Sequence, residues 1–152
     1  MKNHKAIEVA RLFLYWANQE GEVITNLKMQ KLLYYAQAWH LVNFHKPLFT
    51  DKIEAWKLGP VVQQVYQKFK VHGPRPIAYQ DHKGAEESIF ERKSLDFLKE
   101  FYGIYIKVPA HDLVNMSHSE RPWISAFKRN ESIDLNTMED FYTKQYKTSR
   151  HS

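Results

Sequence analysis

The apolar residues of this chain recur mostly at the three- and four-residue intervals that are typical of α-helices. The pattern predicts a first helix capped by Asn3 and ended by Gly21, and a second that begins at Thr25 or Asn26 and is closed by Pro47. Because the second contains no Gly or Pro, we expect it to be the central helix. Its apolar stripe consists of Met29, Leu32, Leu33, Ala36 and His40, and its opposite face carries Lys28, Lys31 and Tyr35.

The same spacing predicts several shorter helices after residue 60. One covers residues 61–69 and another covers residues 95–102. A third follows Pro109, and the last two begin near Pro122 and after Asn136. The helical pattern therefore extends over most of the chain.

Two segments lack helical spacing. Residues 53–58 (IEAWKL) predict a short extended stretch, after which Pro60 suits the first turn of the next helix. Residues 77–90 are largely polar and predict a connecting loop or a short hairpin. We therefore predict a mainly α, compact single domain with a short strand or hairpin near these two segments. We assign residues 1–145 to the domain and residues 146–152 to a polar C-terminal tail.

Length and composition agree with one hydrophobic core. The chain has 152 residues, and its nine Phe, nine Tyr and four Trp supply ample apolar surface to bury. It has no Cys, which excludes disulfides and thiolate zinc sites and favours a reducing compartment. Glu8 and Arg11 interrupt the first apolar stretch, and no apolar run approaches the length of a membrane span. We predict a cytoplasmic protein with no membrane partner.

The chain is basic, with 22 Lys and Arg against 17 Asp and Glu and a formal net charge of +5. Such a charge allows attraction to nucleic acid or to an acidic protein surface, although it also serves solubility alone. Tyr34, Tyr35 and Trp39, with Lys28 and Lys31 nearby, are residue types that stack bases and hold phosphates. More often such residues belong to a core and its rim, so the sequence leaves binding of nucleic acid open.

Eight histidines raise the question of a metal site. The nearest pairs are His111 with His118 and His40 with His45. Neither spacing places two imidazoles on one helical face beside a carboxylate, and there is no HExxH motif. We predict no metal site and no cofactor.

Candidate catalytic residues are equally poorly arranged. Ser117, His118 and Glu120 are only neighbours in sequence, whereas a nucleophilic relay also requires an oxyanion hole and a defined orientation. No Gly-rich phosphate loop follows a strand. We predict that the chain is not an enzyme.

Three ordered blocks carry a resemblance to a known family: residues 27–40 (LKMQKLLYYAQAWH), 47–70 (PLFTDKIEAWKLGPVVQQVYQKFK) and 113–126 (LVNMSHSERPWISA). They resemble the Panacea domain, also described as the SocA-like or phage-associated GepA family of bacterial antitoxins. The family pattern is K-L-Q-K-L-x-Y-x-A-Q, then E-A-W-x-x-G-P-V, then H-x-x-x-P-W. The matching residues are Lys28, Gln30, Lys31, Leu32, Tyr34, Ala36, Gln37, Glu54, Ala55, Trp56, Gly59, Pro60, Val61, His118, Pro122 and Trp123.

The resemblance implies a small helical domain that is encoded beside a toxin and neutralises it by direct binding. In the SocA branch it also implies delivery of the toxin to a protease. Because Panacea domains are paired with unrelated toxin classes, the toxin cannot be identified from this chain. The alternative is a nucleic-acid-binding regulator, either an autorepressor or an RNA binder. An enzyme acting on the toxin would require groups such as His118, Glu54 and Lys31 to converge in one pocket.

The motif residues have mainly structural explanations. Gly59 permits a tight turn, Pro60 restricts the backbone and Trp56 anchors the turn on the core. We expect Trp56, Trp123 and His118 to be packing or network residues. A binder of varied partners would keep such residues and vary its contact surface, so we expect the interface on less distinctive positions.

Overall fold

The computed structural model describes residues 1–82 and 85–151. It consists mainly of helices and has one short antiparallel hairpin within the described residues, which confirms the predicted mainly α class. The hairpin consists of β1 (Glu54–Trp56) and β2 (Gly59–Val61). The helices are α1 (Ala6–Glu20), α2 (Asn26–Phe44), α3 (Gln63–Phe69), α4 (Ala85–Ser88), α5 (Arg92–Tyr105), α6 (Ala110–His118), α7 (Arg121–Arg129) and α8 (Leu135–His151), and a 3-10 turn covers Lys70–His72.

The first two helices have clear local stop and start signals. Gly21 adopts a left-handed conformation (φ 73°) and its N–H bonds to the carbonyl of Ala17, which ends α1 as predicted. Thr25 caps α2, because its hydroxyl accepts the N–H of Lys28. The predicted cap at Asn3 is wrong. α1 begins later because the Glu8 carboxylate accepts the backbone N–H of residue 5 at 2.9 Å.

The central position predicted for α2 is confirmed, but its predicted polar face is wrong. α2 contacts α1, α3, α5, α6, α8 and β2, so it is enclosed on nearly every side. Lys31 and Tyr35, expected on the polar face, are 0% and 1% exposed. Lys28 is half-buried and its ammonium donates to the carbonyl of Ile106 at 2.6 Å. An apolar stripe identifies a helix with one buried face, whereas α2 is also buried along its polar residues.

The hairpin begins where a strand was predicted, at residues 54–56, but Pro60 lies in β2 rather than in a helix. It pairs with Ala55 in a two-stranded ribbon, where a residue without an N–H is tolerated, and α3 starts only at Gln63. The alternative of a hairpin at residues 77–90 is wrong for the part of that segment that is described. Ala85–Ser88 is a helical turn instead, and residues 83–84 lie outside the described residues.

The last helix is longer than predicted. α8 runs from Leu135 to His151 and therefore continues through most of the segment assigned to a polar tail. Met138 and Tyr142 are 0% exposed and fix it against the core, where its main neighbour is α2. Across residues 1–82 and 85–151, no helix is both long enough and apolar enough to span a membrane.

Candidate functional site

Two side chains of α2 form hydrogen bonds with the backbone of β2 and of the residue after it. Lys31 donates from its ammonium to the carbonyl of Pro60 at 3.0 Å. Gln30 accepts the N–H of Val62 at 2.9 Å through its side-chain oxygen. Both side chains are at most 1% exposed. The first sequence block therefore holds β2, which lies in the middle of the second block.

Two side chains of the third block hold the other end of the hairpin. Trp123 of α7 donates its indole N–H to the carbonyl of Trp56 at 2.8 Å. His118, the last residue of α6, has Nε2 at 2.9 Å from the carbonyl of Lys57, so this nitrogen carries the proton and donates it. The two rings lie with centroids 4.3 Å apart. We call Gln30, Lys31, His118 and Trp123 the hairpin clamp.

Gly59 lies where the clamp is tightest. Its φ is 110°, which favours glycine, and a Cβ at this position would come within 2.8 Å of the Lys31 Cε and 2.9 Å of the Ser117 Oγ. Ser117 is fully buried and donates to the carbonyl of Val114 at 2.9 Å. The hairpin can therefore approach α2 and α6 only because residue 59 has no side chain.

Lys31 is a buried amine without an acidic partner in the described structure. Its hydrogen-bond acceptor is the Pro60 carbonyl, and no carboxylate of residues 1–82 or 85–151 forms an ion pair with it. Removal from water disfavours the charged form and lowers the pKa of Lys31 to about 7. The charge of this amine is therefore sensitive to pH near neutrality.

We expect the free energy of unfolding to rise as the pH is raised from about 7 to 10.5. In this window the unfolded chain binds a proton on Lys31 that the folded chain does not, so deprotonation favours the folded state by up to about 1.4 kcal/mol per pH unit. Below about pH 7, Lys31 is charged in both the folded and the unfolded state, so its contribution to the free energy of unfolding does not change with pH. Urea unfolding of wild type and Lys31→Met at each pH isolates the effect, because other groups contribute equally to both. If the free energy of unfolding of wild type and of Lys31→Met depends on pH in the same way, Lys31 does not have the lowered pKa.

A second buried network joins α2, α7 and α8. Glu120, at 8% exposure, accepts the hydroxyls of Tyr35 at 2.6 Å and Tyr142 at 2.7 Å. Since Tyr142 gives its proton to the carboxylate, Tyr34 must donate to Tyr142 across their 2.9 Å contact. We call these four residues the tyrosine network. Burial raises the pKa of Glu120, and hydrogen bonds from Tyr35, Tyr142 and Gln145 oppose this rise.

The remaining motif residues also bind backbone or close neighbours. Gln37 donates to the carbonyl of Phe49 at 2.8 Å and accepts the N–H of Leu48 at 2.6 Å, which holds the segment after α2. Glu54 accepts the indole N–H of Trp56 at 3.0 Å. Pro122 is buried in the first turn of α7. The polar residues of the motif thus satisfy the backbone of irregular segments, a role that does not require a partner.

The aromatic residues considered for binding nucleic acid are largely buried. Tyr34 is 0% and Tyr35 is 1% exposed, and both hydroxyls belong to the tyrosine network. Trp39 is half-buried and donates its indole N–H to the hydroxyl of Tyr105 at 2.7 Å. Tyr34 and Tyr35 are therefore not accessible for base stacking, and of the three rings only Trp39 is partly exposed.

The candidate metal and catalytic residues have separate partners. His40 contacts the carbonyl of Lys46, His45 contacts Glu139, and His111 contacts Asn115. Among the residues with described positions, no group of three or more metal-binding side chains is gathered. Ser117, His118 and Glu120 bond to Val114, Lys57 and the tyrosines respectively. The suggested convergence of His118, Glu54 and Lys31 is replaced by three contacts along the hairpin.

Sequence reasoning did not identify several residues that build the site. Ser117 and Glu120 were considered only as members of a catalytic relay, and Tyr142 was not considered as a candidate. Their roles depend on contacts between residues that are far apart in sequence, 58 positions for Gly59 and Ser117 and 85 positions for Tyr35 and Glu120. Spacing within one helix carries no signal for such contacts. The S-H-S-E run beside Pro122 was the available hint.

The family of the chain can now be stated. Residues 29–124, more than half of the chain, match the family described as Antitoxin SocA-like, Panacea domain, and they include the whole hairpin clamp. The chain belongs to this family, which confirms the resemblance. It is also similar to Antitoxin SocA of Caulobacter vibrioides (strain NA1000 / CB15N), with 45% identity over 69 residues. That alignment covers 45% of this chain and 37% of the length of SocA. No solved structure matches the chain.

Proposed function

We propose that this chain is an antitoxin of a bacterial or prophage toxin–antitoxin system and that it neutralises a co-encoded toxin by direct protein binding. The observation that carries the proposal is the family match over residues 29–124, which spans the hairpin and all four clamp residues. The match therefore covers the hairpin together with the side chains that hold it in place. We propose residues 1–145 as the functional unit, acting in the cytoplasm where a co-encoded toxin would be made.

The clamp supports binding rather than chemistry as the mode of action. Its donors and acceptors are directed at backbone groups of Trp56, Lys57, Pro60 and Val62, and this fixes the conformation of the turn between the strands. A surface fixed before association loses less conformational entropy on binding than a mobile one. A fixed turn that presents exposed side chains, here Lys57 and Leu58, would suit a family whose members bind different toxins.

We expect neutralisation to be stoichiometric, reversible and without covalent change to the toxin. The test mixes the purified chain with the purified product of the neighbouring reading frame and measures toxin activity and mass. Separation under denaturing conditions and refolding of the toxin alone should restore full activity. Toxin taken through the same steps without the antitoxin is the control. Inhibition at far below equimolar antitoxin, or a persistent mass change, would show that the chain acts as an enzyme.

The salt dependence of binding distinguishes the antitoxin proposal from the alternative of a nucleic-acid-binding regulator. Binding through phosphates weakens steeply as salt rises, whereas a largely apolar protein interface tolerates it. Burial of Tyr34 and Tyr35 removes two of the three aromatic rings that were candidates for base stacking, and the positive charge is left as the main support of this alternative. A complex with the toxin that persists in moderate salt, without binding to a duplex of the chain's own promoter, favours the antitoxin proposal.

The proposal has a finer part, delivery of the bound toxin to a protease, which the resemblance to the SocA branch implies. Co-expression of the chain would then shorten the half-life of the toxin in cells. An unchanged half-life with full neutralisation would leave masking as the whole mechanism.

A further inference from the structure

Beside the hairpin clamp lies a groove of about 450 Å³ between the start of α2, the β1–β2 turn and the end of α3. Its walls combine apolar and basic side chains. The volume is within the range of ligand-binding clefts, and it is large enough for one or two side chains of a partner. We call it the turn groove, and the wall residues used below are Leu27, Trp56, Lys57, Leu58, Tyr66 and Lys70.

The apolar wall of the groove is partly exposed to solvent. Leu58 at the tip of the turn is 55% exposed and Leu27 is 38% exposed. Trp56 and Tyr66, both half-buried, pack edge to face with centroids 5.0 Å apart. Trp and Tyr in partly buried positions are the residues that most often dominate binding energy at protein interfaces.

The charge around the groove has one sign. Three of its lining residues are lysines, Lys31, Lys57 and Lys70, and none of the described lining residues is acidic. The Glu54 carboxylate is outside the lining and is engaged by the indole of Trp56. A partner that enters this groove therefore encounters uncompensated positive charge beside apolar surface.

The polar amides at the floor are already satisfied. Gln30 donates to the Asn26 side chain at 2.8 Å and accepts the N–H of Val62, and Asn26 donates to the carbonyl of Tyr66 at 3.2 Å. They provide a fixed floor, and Lys57 and Lys70 are the exposed charged residues of the lining. The backbone of Lys57 is itself held by His118. The turn therefore presents Lys57 and Leu58 in a fixed position.

We propose that the turn groove is the surface that binds the toxin, and that it accepts a toxin segment in which a carboxylate stands next to an apolar side chain. The apolar side chain would pack between Leu58, Trp56 and Tyr66, and the carboxylate would pair with Lys57 and Lys70. This inference rests on the proposed antitoxin function. Nucleic acid fits less well, because two exposed lysines would contact few phosphates and the Trp56 ring is packed edge to face on Tyr66.

The test measures the dissociation constant of the complex between the full chain and the purified toxin encoded beside it. Leu58→Asp and the double substitution Lys57→Glu with Lys70→Glu should each weaken binding by about tenfold or more, with unchanged melting temperatures, because all three side chains are exposed. Matched controls lie on α5. Ile104→Asp changes a residue that is 60% exposed and lines a different groove. Lys99→Glu reverses an exposed charge on the same helix. Both should bind like wild type.

The outcomes separate this inference from the proposed function. If wild type and all variants bind the toxin equally, the groove is not the interface while direct neutralisation stands. If wild type does not bind the toxin, the proposed function fails. If the lysine reversals abolish binding to a labelled promoter duplex and leave toxin binding intact, the groove serves nucleic acid and the inference is wrong. A charge swap tests the inference directly. If the variant with Lys57→Glu and Lys70→Glu regains affinity for a toxin in which an acidic residue is changed to Lys, the proposed pairing is supported.

Discussion

Replacing Trp123 with alanine should lower the free energy of unfolding by about 3–5 kcal/mol, a large share of the roughly 5–15 kcal/mol that stabilises a domain of this kind. Trp123 is 9% exposed, stacks on Phe127 with centroids 4.7 Å apart, and donates its indole N–H to the carbonyl of Trp56. The substitution leaves a cavity and an unpaired carbonyl. Toxin neutralisation should be lost because the chain unfolds. Thermal and urea unfolding measure the effect.

Two variants serve as controls for Trp123→Ala. Trp123→Phe keeps most of the apolar contact and removes the indole N–H, so it should cost only about 1 kcal/mol. Trp56→Ala should destabilise less than Trp123→Ala, because Trp56 is half-buried and lies on a wall of the turn groove. If Trp123→Ala kept its melting temperature and still lost the toxin, Trp123 would be a contact residue.

Sequence patterns predicted the helices well where one face alone is buried. Gly21 and Thr25 ended and began helices as expected because their signals are local. α2 was placed at the centre for a sound reason, its uninterrupted helical pattern. However, the burial of Lys31 and Tyr35 could not be read from that pattern, since it depends on contacts of α2 with α6, α8 and β2.

The clamp illustrates the same limit for the site. The three blocks were recognisable in order, but spacing alone did not show that Lys31, His118 and Trp123 are directed at one hairpin. The assignment of Pro60 to a helix was wrong because X-Pro restraint fits an edge strand as well as a first helical turn. Partners separated by 29, 61 and 67 residues become visible only in three dimensions.

The clamp also makes Gly59 the least replaceable glycine of those whose surroundings are described. Gly59→Ala should lower the free energy of unfolding by about 2–6 kcal/mol, the sum of backbone strain at φ 110° and of overpacking against Lys31 and Ser117. Gly21→Ala, at φ 73° with no atom within 4 Å, should cost only about 1–2 kcal/mol. Gly103→Ala, in the open interior of α5, should stabilise by about 0.5–1 kcal/mol. Equilibrium urea unfolding gives all three values.

A double-mutant cycle decides whether close packing causes the loss at Gly59. Ser117→Ala removes the Oγ that would lie 2.9 Å from the new Cβ, at the expense of one hydrogen bond to Val114. Gly59→Ala combined with Ser117→Ala should therefore be more stable than the sum of the two single changes predicts, with a coupling energy of about 0.5–3 kcal/mol. Strictly additive changes would mean that Ser117 does not restrict the turn. If Gly59→Ala lowers the free energy of unfolding no more than Gly21→Ala does, the hairpin does not lie against α2 and α6 as the structure shows.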